Sequence, residues 1–321
     1  MRGDAQRVGS AVTSQRVLVT GAAGQLGHFL RAALMAAGAE VIGTGRRLDP
    51  GVDQLVDVTD GDATIAAVRA ARPAAVVHAA AYTDVDGCER DPALAQAVNV
   101  AGSHHVAMAA RSVGAHLLAV STDFVFSGEE GAPYREDDTP APLSVYGRTK
   151  LAGEAAVLAA DPSFAVVRTA WLYGGPGKHF PRTVLRVLLE RGTMTVVDDE
   201  QGSPTYVADL AAAIVALLPV REPGVFHLVN EGSTTRYELA RAVAGAGGLD
   251  PSAVTPITTA EFLRSYPLPA RRPPNSTLSN QRAAARGIAL RPWTDAIMAY
   301  VPLLAAELGL SLPSHRDLAR G

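Results

Sequence analysis

Apolar residues along this chain come in short runs that alternate between two spacings. Arg-Val-Leu-Val-Thr at Arg16–Thr20 reads as a buried strand, and after a glycine-rich turn residues 28–37 set Phe29, Leu30, Ala33 and Leu34 on one helical face, with Gly38 as the stop. The run 41–45 predicts a second strand and 55–59 the end of another. Further strand-like runs at 75–81, 116–121 and 164–169 are interleaved with helical runs at 93–111 and 143–160. Strand, helix and strand in regular succession is the pattern of βαβ units, so the predicted fold class is α/β, a doubly wound parallel sheet. Proline and glycine become frequent from Gly174 onward, as in Gly174-Gly175-Pro176-Gly177, which marks a smaller C-terminal lobe. The expected organisation is a tail at 1–15, the sheet domain at 16–172 with a return segment at 206–230, the lobe at 173–205 and 231–305, and a tail at 306–321.

The turn between the first strand and helix is Thr20-Gly21-Ala22-Ala23-Gly24-Gln25-Leu26-Gly27. Gly21 permits the tight turn, Gly24 lets backbone approach a pyrophosphate, and Gly27 lets helix and strand pack closely, while the helix start offers free N–H groups to an anion. This makes the sheet a Rossmann-type dinucleotide-binding domain. At the end of the second strand stand Arg46 and Arg47, where an acidic residue would bind a free ribose 2′-hydroxyl and an arginine would accept a 2′-phosphate. The pair leans towards NADPH, with NADH as the second cofactor; as solvated loop charges the two arginines would carry no preference. Asp57 and Val58 fall at a strand end that would flank the adenine.

Ligands of parallel sheets collect at the carboxyl ends of the strands, and polar clusters fall there: Tyr82-Thr83-Asp84, Ser121-Thr122-Asp123 and Trp171. Downstream, Tyr146-Gly147-Arg148-Thr149-Lys150 sets a tyrosine and a lysine four apart on one helical face. The ammonium can then sit near the phenol and favour its ionised form, making a group that trades protons near neutral pH.

Composition narrows the ligand to a small molecule. A net charge of −3 gives no electrostatic footprint for nucleic acid, and the longest apolar run, 210–218, is half the ~18 residues that span a bilayer. Residues 1–15 lack the apolar core of a signal peptide, so the expected location is the cytoplasm. The single cysteine, Cys88, excludes an intramolecular disulfide and has no histidine beside it to activate a thiolate. Adjacent His104 and His105 point apart on a helix, and Asp198-Asp199-Glu200 reads as a solvated charge run, so no metal is predicted.

The glycine pattern, Ser121-Thr122-Asp123 and Tyr146 to Lys150 together resemble the extended short-chain dehydrogenases/reductases. Segments 79–86, 121–128, 146–154, 168–174, 201–210 and 272–278 are similar to the dTDP-4-dehydrorhamnose reductase family, over about residues 16 to 304. Nucleotide-sugar dehydratases of the same superfamily carry an acidic residue after the Thr-Asp pair; this chain has Phe124, which disfavours dehydration. The resemblance implies NAD(P)H-dependent reduction of the 4-keto group of dTDP-4-dehydro-β-L-rhamnose to dTDP-β-L-rhamnose, with Tyr146 as proton donor, Lys150 lowering its pKa and holding the nicotinamide ribose, and Thr122 bonding the reacting oxygen. It implies that Gly24, Gln25 and Leu26 present backbone to the pyrophosphate and that Ala80, Ala81 and Tyr82 line the cofactor. Thr122, Asp123 and Trp171 would face the sugar, Trp171 as a flat apolar wall, with Asn99 fixing the site's backbone and waters. A homodimer is an assembly the likeness allows. Two alternatives share these residues: a ketoreductase for another dTDP-deoxysugar, and a non-catalytic subunit like the regulatory subunit of methionine adenosyltransferase.

Overall fold

Seven of the strands lie side by side in a single parallel sheet, flanked by helices on both faces. The structure is a computed structural model and describes residues 14–309. Its first half runs β1 (Arg16–Thr20), α1 (Gln25–Ala36), β2 (Glu40–Gly45), β3 (Gln54–Leu55), α2 (Gly61–Ala71), β4 (Ala75–His78), α3 (Val85–Arg90), α4 (Pro92–Gln96), α5 (Gly102–Ser112), β5 (His116–Thr122), α6 (Val145–Ala160) and β6 (Ala165–Thr169). The second half adds β7 (Leu172–Tyr173), α7 (Phe180–Arg191), β8 (Met194–Val197), β9 (Gln201–Gly202), β10 (Thr205–Tyr206), α8 (Val207–Leu217) and β11 (Gly224–His227). It closes with β12 (Thr234–Thr235), α9 (Arg236–Ala246), β13 (Val254–Ile257), α10 (Thr259–Ser265), α11 (Gln281–Ala284) and α12 (Trp293–Glu307). The helix α12 thus runs to Glu307, into the stretch expected as a tail, and residues 1–13 and 310–321 lie outside the described part.

Strand order in the large sheet is β11-β6-β5-β4-β1-β2-β3. The chain winds one way from β1 through β2 to β3 and the other way from β4 through β5 to β6, so the order reverses between β1 and β4, where α/β sheets open a crevice for ligands. Period-two alternation sends Val17 and Val19 to one face and Leu18 to the other. On the first face they pack with Leu30 and Leu34 of α1 and Leu210 and Ile214 of α8; on the second, Leu18 joins Val76, Val106, Leu117, Val157 and Val166. The apolar run at 210–218 is therefore a core helix, and no helix of the described residues is long and apolar enough to cross a membrane. At 206–230 the chain returns to the sheet, where β11 pairs with β6, Gly224 opposite Ala165 and His227 opposite Arg168.

A separate core of Tyr173, Leu185, Val196, Leu239, Val243, Ile297 and Val301 gathers α7, α9, α12 and the β8–β13 pair beside the open end of the sheet. Gln25 of α1 reaches across to it, its side-chain nitrogen donating to the Gly174 carbonyl at 2.7 Å.

Three expected elements differ in detail. The strand end at 55–59 shrinks to Gln54–Leu55, because the Asp57 carboxylate turns back to accept from the Thr59 backbone N–H and hydroxyl. The strand at 75–81 ends at His78, and Ala79 to Tyr82 leave the sheet. The single helix expected over 93–111 is interrupted by a π-helical turn at Ala97–Ala101, which contains Asn99. Helix α2 adds to the expected elements; Asp60 caps it by accepting from the Ala63 N–H at 3.0 Å.

Candidate active site

A cleft of about 860 Å³ opens at the reversal point, and of the residues expected to act in catalysis or to bind cofactor or substrate, all but Asn99 line it. Gly21 adopts φ +68°, and a β-carbon on Gly27 would lie 2.2 Å from the Gly21 carbonyl oxygen, so turn and helix close on each other only without side chains. The α1 N-cap, Gly24, makes no side-chain capping bond, and the first turn carries no acidic residue. Its N–H groups and partial positive charge are left for an anion, and Gly21, Gly24, Gln25, Leu26 and Gly27 all face the cleft. Opposite stand Ala80, Ala81 and Tyr82, and the far end is formed by Arg46, Arg47, Asp57 and Val58. The two arginines are exposed there. A narrow glycine cradle, an uncapped helix start and a basic far end fit a dinucleotide carrying a 2′-phosphate.

The reactive end is built by β5 and α6. Ser144 caps α6 by accepting from the Gly147 N–H at 3.1 Å, and the same helical face buries Tyr146 and Lys150. The Lys150 ammonium donates to the Val120 carbonyl at 2.8 Å, and burial lowers it to about 8 despite Glu154 one turn away. Lys150 and the Tyr146 phenol share this buried face. Burial among Cys88, Ala95 and the edge-on Phe124 ring, 5.6 Å away, pushes that phenol up, and among its neighbours the Thr122 hydroxyl draws it down.

Asn99 is the residue that does not line the cleft. It is 1 % exposed and works behind the wall: its carbonyl accepts from the Tyr82 N–H at 2.8 Å, and its amide donates to the Tyr82 carbonyl and to Thr149 Oγ1. Thr149 donates in turn to the Tyr146 carbonyl at 3.0 Å, so Asn99 ties the cofactor wall to α6 rather than touching substrate.

Thr122 and Asp123 share the cleft with Tyr146. The Thr122 hydroxyl donates to Asp123 Oδ1 at 2.9 Å, and burial pushes the Asp123 carboxyl up to about 6, against the pull of the Ser276 and Thr122 hydroxyls and the Arg236 guanidinium. Beneath them lies a buried ion pair: Arg168 meets Glu154 at 2.7 Å, and the Ser121 hydroxyl donates to the same carboxylate.

Trp171 faces the cleft from a left-handed backbone, φ +46°, rare for a bulky residue. Its ring is not the bare wall expected, because the Arg236 guanidinium lies 3.5 Å from the ring centroid and covers one face. Sequence reading missed Arg236: as the first residue of a polar helix it looks like any solvated arginine. Burial lowers it to about 10, with Glu200 beside it. Arg272, paired with Asp86 at 2.7 Å, joins it. Both arginines also line a second cavity of about 680 Å³ walled by Phe180, Val196, Phe262 and Leu268. The carboxylates of 198–200 are divided among Thr235, Thr259 and Arg236, and His105 bonds the Val58 carbonyl. Among the described residues no group of three potential ligands could hold a metal. Burial pushes the Cys88 thiol up to about 11, so it stays a thiol.

Comparison with known proteins agrees with this geometry. Residues 15–305 match the family model described as RmlD substrate binding domain. The chain is 44 % identical over 313 residues to dTDP-4-dehydrorhamnose reductase of Mycobacterium tuberculosis, covering 95 % of this chain and 99 % of the relative. It is 43 % identical over 298 residues to a probable dTDP-4,6-dihydroxy-2-methyloxan-3-one 4-ketoreductase of Streptomyces antibioticus, covering 91 % and 97 %. Among solved structures, the dTDP-4-dehydrorhamnose reductase of Bacillus anthracis in complex with NADP superposes with a TM-score of 0.82 at 34 % identity, covering 90 % of this chain and 99 % of that one. With the cradle, the Thr122–Tyr146–Lys150 cluster and these relatives in agreement, the chain belongs to the dTDP-4-dehydrorhamnose reductase family.

Proposed function

We propose that the protein reduces the 4-keto group of dTDP-4-dehydro-β-L-rhamnose to give dTDP-β-L-rhamnose, using NADPH. The observation that carries this reading is that Tyr146, Thr122 and Lys150 meet in the same cleft as the glycine turn. NADPH, when bound, supplies the hydride to the carbonyl carbon. Tyr146, held protonated by burial, gives its proton to the carbonyl oxygen as charge builds there. The Thr122 hydroxyl adds a second hydrogen bond to that oxygen, and the fixed Lys150 ammonium supplies positive potential. Arg236 and Arg272 stand where the two cavities meet, which suits the diphosphate of a sugar nucleotide, with the sugar in the first cavity and the nucleoside among the apolar residues of the second.

The test is NADPH consumption by purified protein supplied with enzymatically generated dTDP-4-dehydrorhamnose, with the product identified by chromatography. Cofactor binding without dTDP-rhamnose formation would defeat the assignment. A ketoreductase for a different dTDP-deoxysugar is the second reading, favoured by the Streptomyces antibioticus relative at nearly equal identity; turnover of that class of ketone in preference to the rhamnose precursor would select it. Arg46→Ala is expected to raise KM for NADPH by about tenfold and leave KM for NADH nearly unchanged, the loss of one charge-assisted phosphate contact. Equal effects on the two cofactors would show that Arg46 does not meet the 2′-phosphate.

A further inference from the structure

Arg272 lines both cavities, yet it belongs to a stretch, 266–274, that has neither helix nor strand to hold it. Its anchor is Asp86, the second residue of α3 in the sheet domain, 186 positions back in the chain. Asp86 Oδ2 accepts from Arg272 Nη2 at 2.7 Å, and Oδ1 accepts from Nη1 at 3.4 Å and from the Ala270 N–H at 3.2 Å. Nη1 also donates to the Ala270 carbonyl at 3.0 Å, which closes the turn on itself. Burial works against the charge on Asp86, but the Arg272 guanidinium and the Ala270 N–H hold its carboxyl below the usual carboxylate range.

A guanidinium carries five N–H groups in a fixed fork. Three of those of Arg272 are taken by Asp86 and Ala270, and the other two, on Nε and Nη2, have no partner among the described residues. With the end of the fork on Asp86, the free pair lies parallel along one side, the arrangement that takes two oxygens of a phosphate. Asp86 itself lines neither cavity, so it meets a ligand only through Arg272. We propose that Asp86 is a positioning residue for the sugar nucleotide, holding the free edge of Arg272 to the diphosphate. This rests on the substrate being a nucleoside diphosphate sugar. Because Asp86 belongs to the sheet domain and Arg272 to the lobe, the phosphate contact exists only while the two are held together, so one ion pair ties diphosphate recognition to the alignment of the lobe over the cofactor cleft. The pair itself contributes little to the fold: the two side chains are 26 % and 19 % exposed, and ion pairs that still meet water are weak.

The experiment is calorimetric titration of NADPH-loaded protein with dTDP and, separately, with thymidine, which lacks the phosphates. In Asp86→Asn the affinity for dTDP is expected to fall about tenfold, the loss of one well-aimed charged contact, while thymidine binds as before. Arg272→Met should show the same split, and adding Asp86→Asn to it should cost nothing further, since the carboxylate acts only through the guanidinium. Unchanged dTDP affinity in Asp86→Asn, equal weakening of dTDP and thymidine, or additive losses in the double variant would each overturn the assignment; the second of these is what a residue that merely shapes the 266–274 stretch would give. Failure of the unaltered protein to bind dTDP would overturn the sugar-nucleotide reading as well, whereas dTDP binding without turnover of the rhamnose precursor would defeat the choice of ketone and leave the role of Asp86 standing.

Discussion

Tyr146→Phe is expected to lower kcat by at least ~10²-fold while NADPH affinity stays nearly unchanged, because the substitution removes only the proton that is transferred. The surroundings of the ring make the comparison clean. Phe124 meets Tyr146 edge-on, and Cys88 and Ala95 pack against it, so a phenylalanine keeps the apolar contacts and the shape of the wall. Lys150 holds its place through the Val120 carbonyl and does not depend on the phenol. Steady-state kinetics with NADPH, together with a cofactor titration, measure both quantities. Turnover within a few-fold of the unaltered enzyme would remove Tyr146 from the chemistry.

Arg168→Leu is expected to cost about 3–5 kcal/mol, because it strands a buried carboxylate. The Arg168 and Glu154 side chains are each 4 % exposed, and Nε and Nη2 of the arginine both reach the carboxylate. Neither charge has water to turn to. In thermal unfolding the loss should lower Tm on the order of 10 °C for a chain of this size. The double variant Glu154→Leu/Arg168→Leu should recover much of it, since replacing both members of a buried pair by apolar residues is far less costly than removing one. An unchanged Tm in Arg168→Leu would mean that the pair contributes nothing to the fold. Because the Ser121 hydroxyl rests on Glu154, the single variant should also disturb the residues that follow, Thr122 and Asp123.

The central sheet is legible in the sequence because each of its buried strands is a short apolar run bounded by helical spacing, and because the glycine turn announces where the winding begins. Residues whose type alone marks them, such as Tyr146, Lys150 and the Gly21–Gly27 set, are readable for the same reason. What escapes depends on contacts between distant segments. Arg236 belongs to the site only because α9 carries it onto Trp171, 65 positions back in the chain. Asn99 is taken up behind the cleft by Tyr82 and Thr149, partners 17 and 50 positions away in the chain. The direction of the Lys150 ammonium is set by a β5 carbonyl, and spacing along a helix cannot show that. Similarly, α2 buries little more than Thr64, Val68 and Ala71, too faint a stripe to separate from a loop without the packing beneath it.

The sequence contains two tryptophans, Trp171 and Trp293. Trp293 begins α12 away from the cleft, whereas Trp171 forms its wall with a guanidinium against one ring face. Indole emission depends on the charge and water around the ring, so any ligand that draws Arg236 towards its own negative groups changes the light leaving Trp171 and little else. The protein thus carries in Trp171 an intrinsic optical reporter of whatever displaces Arg236, readable without a label.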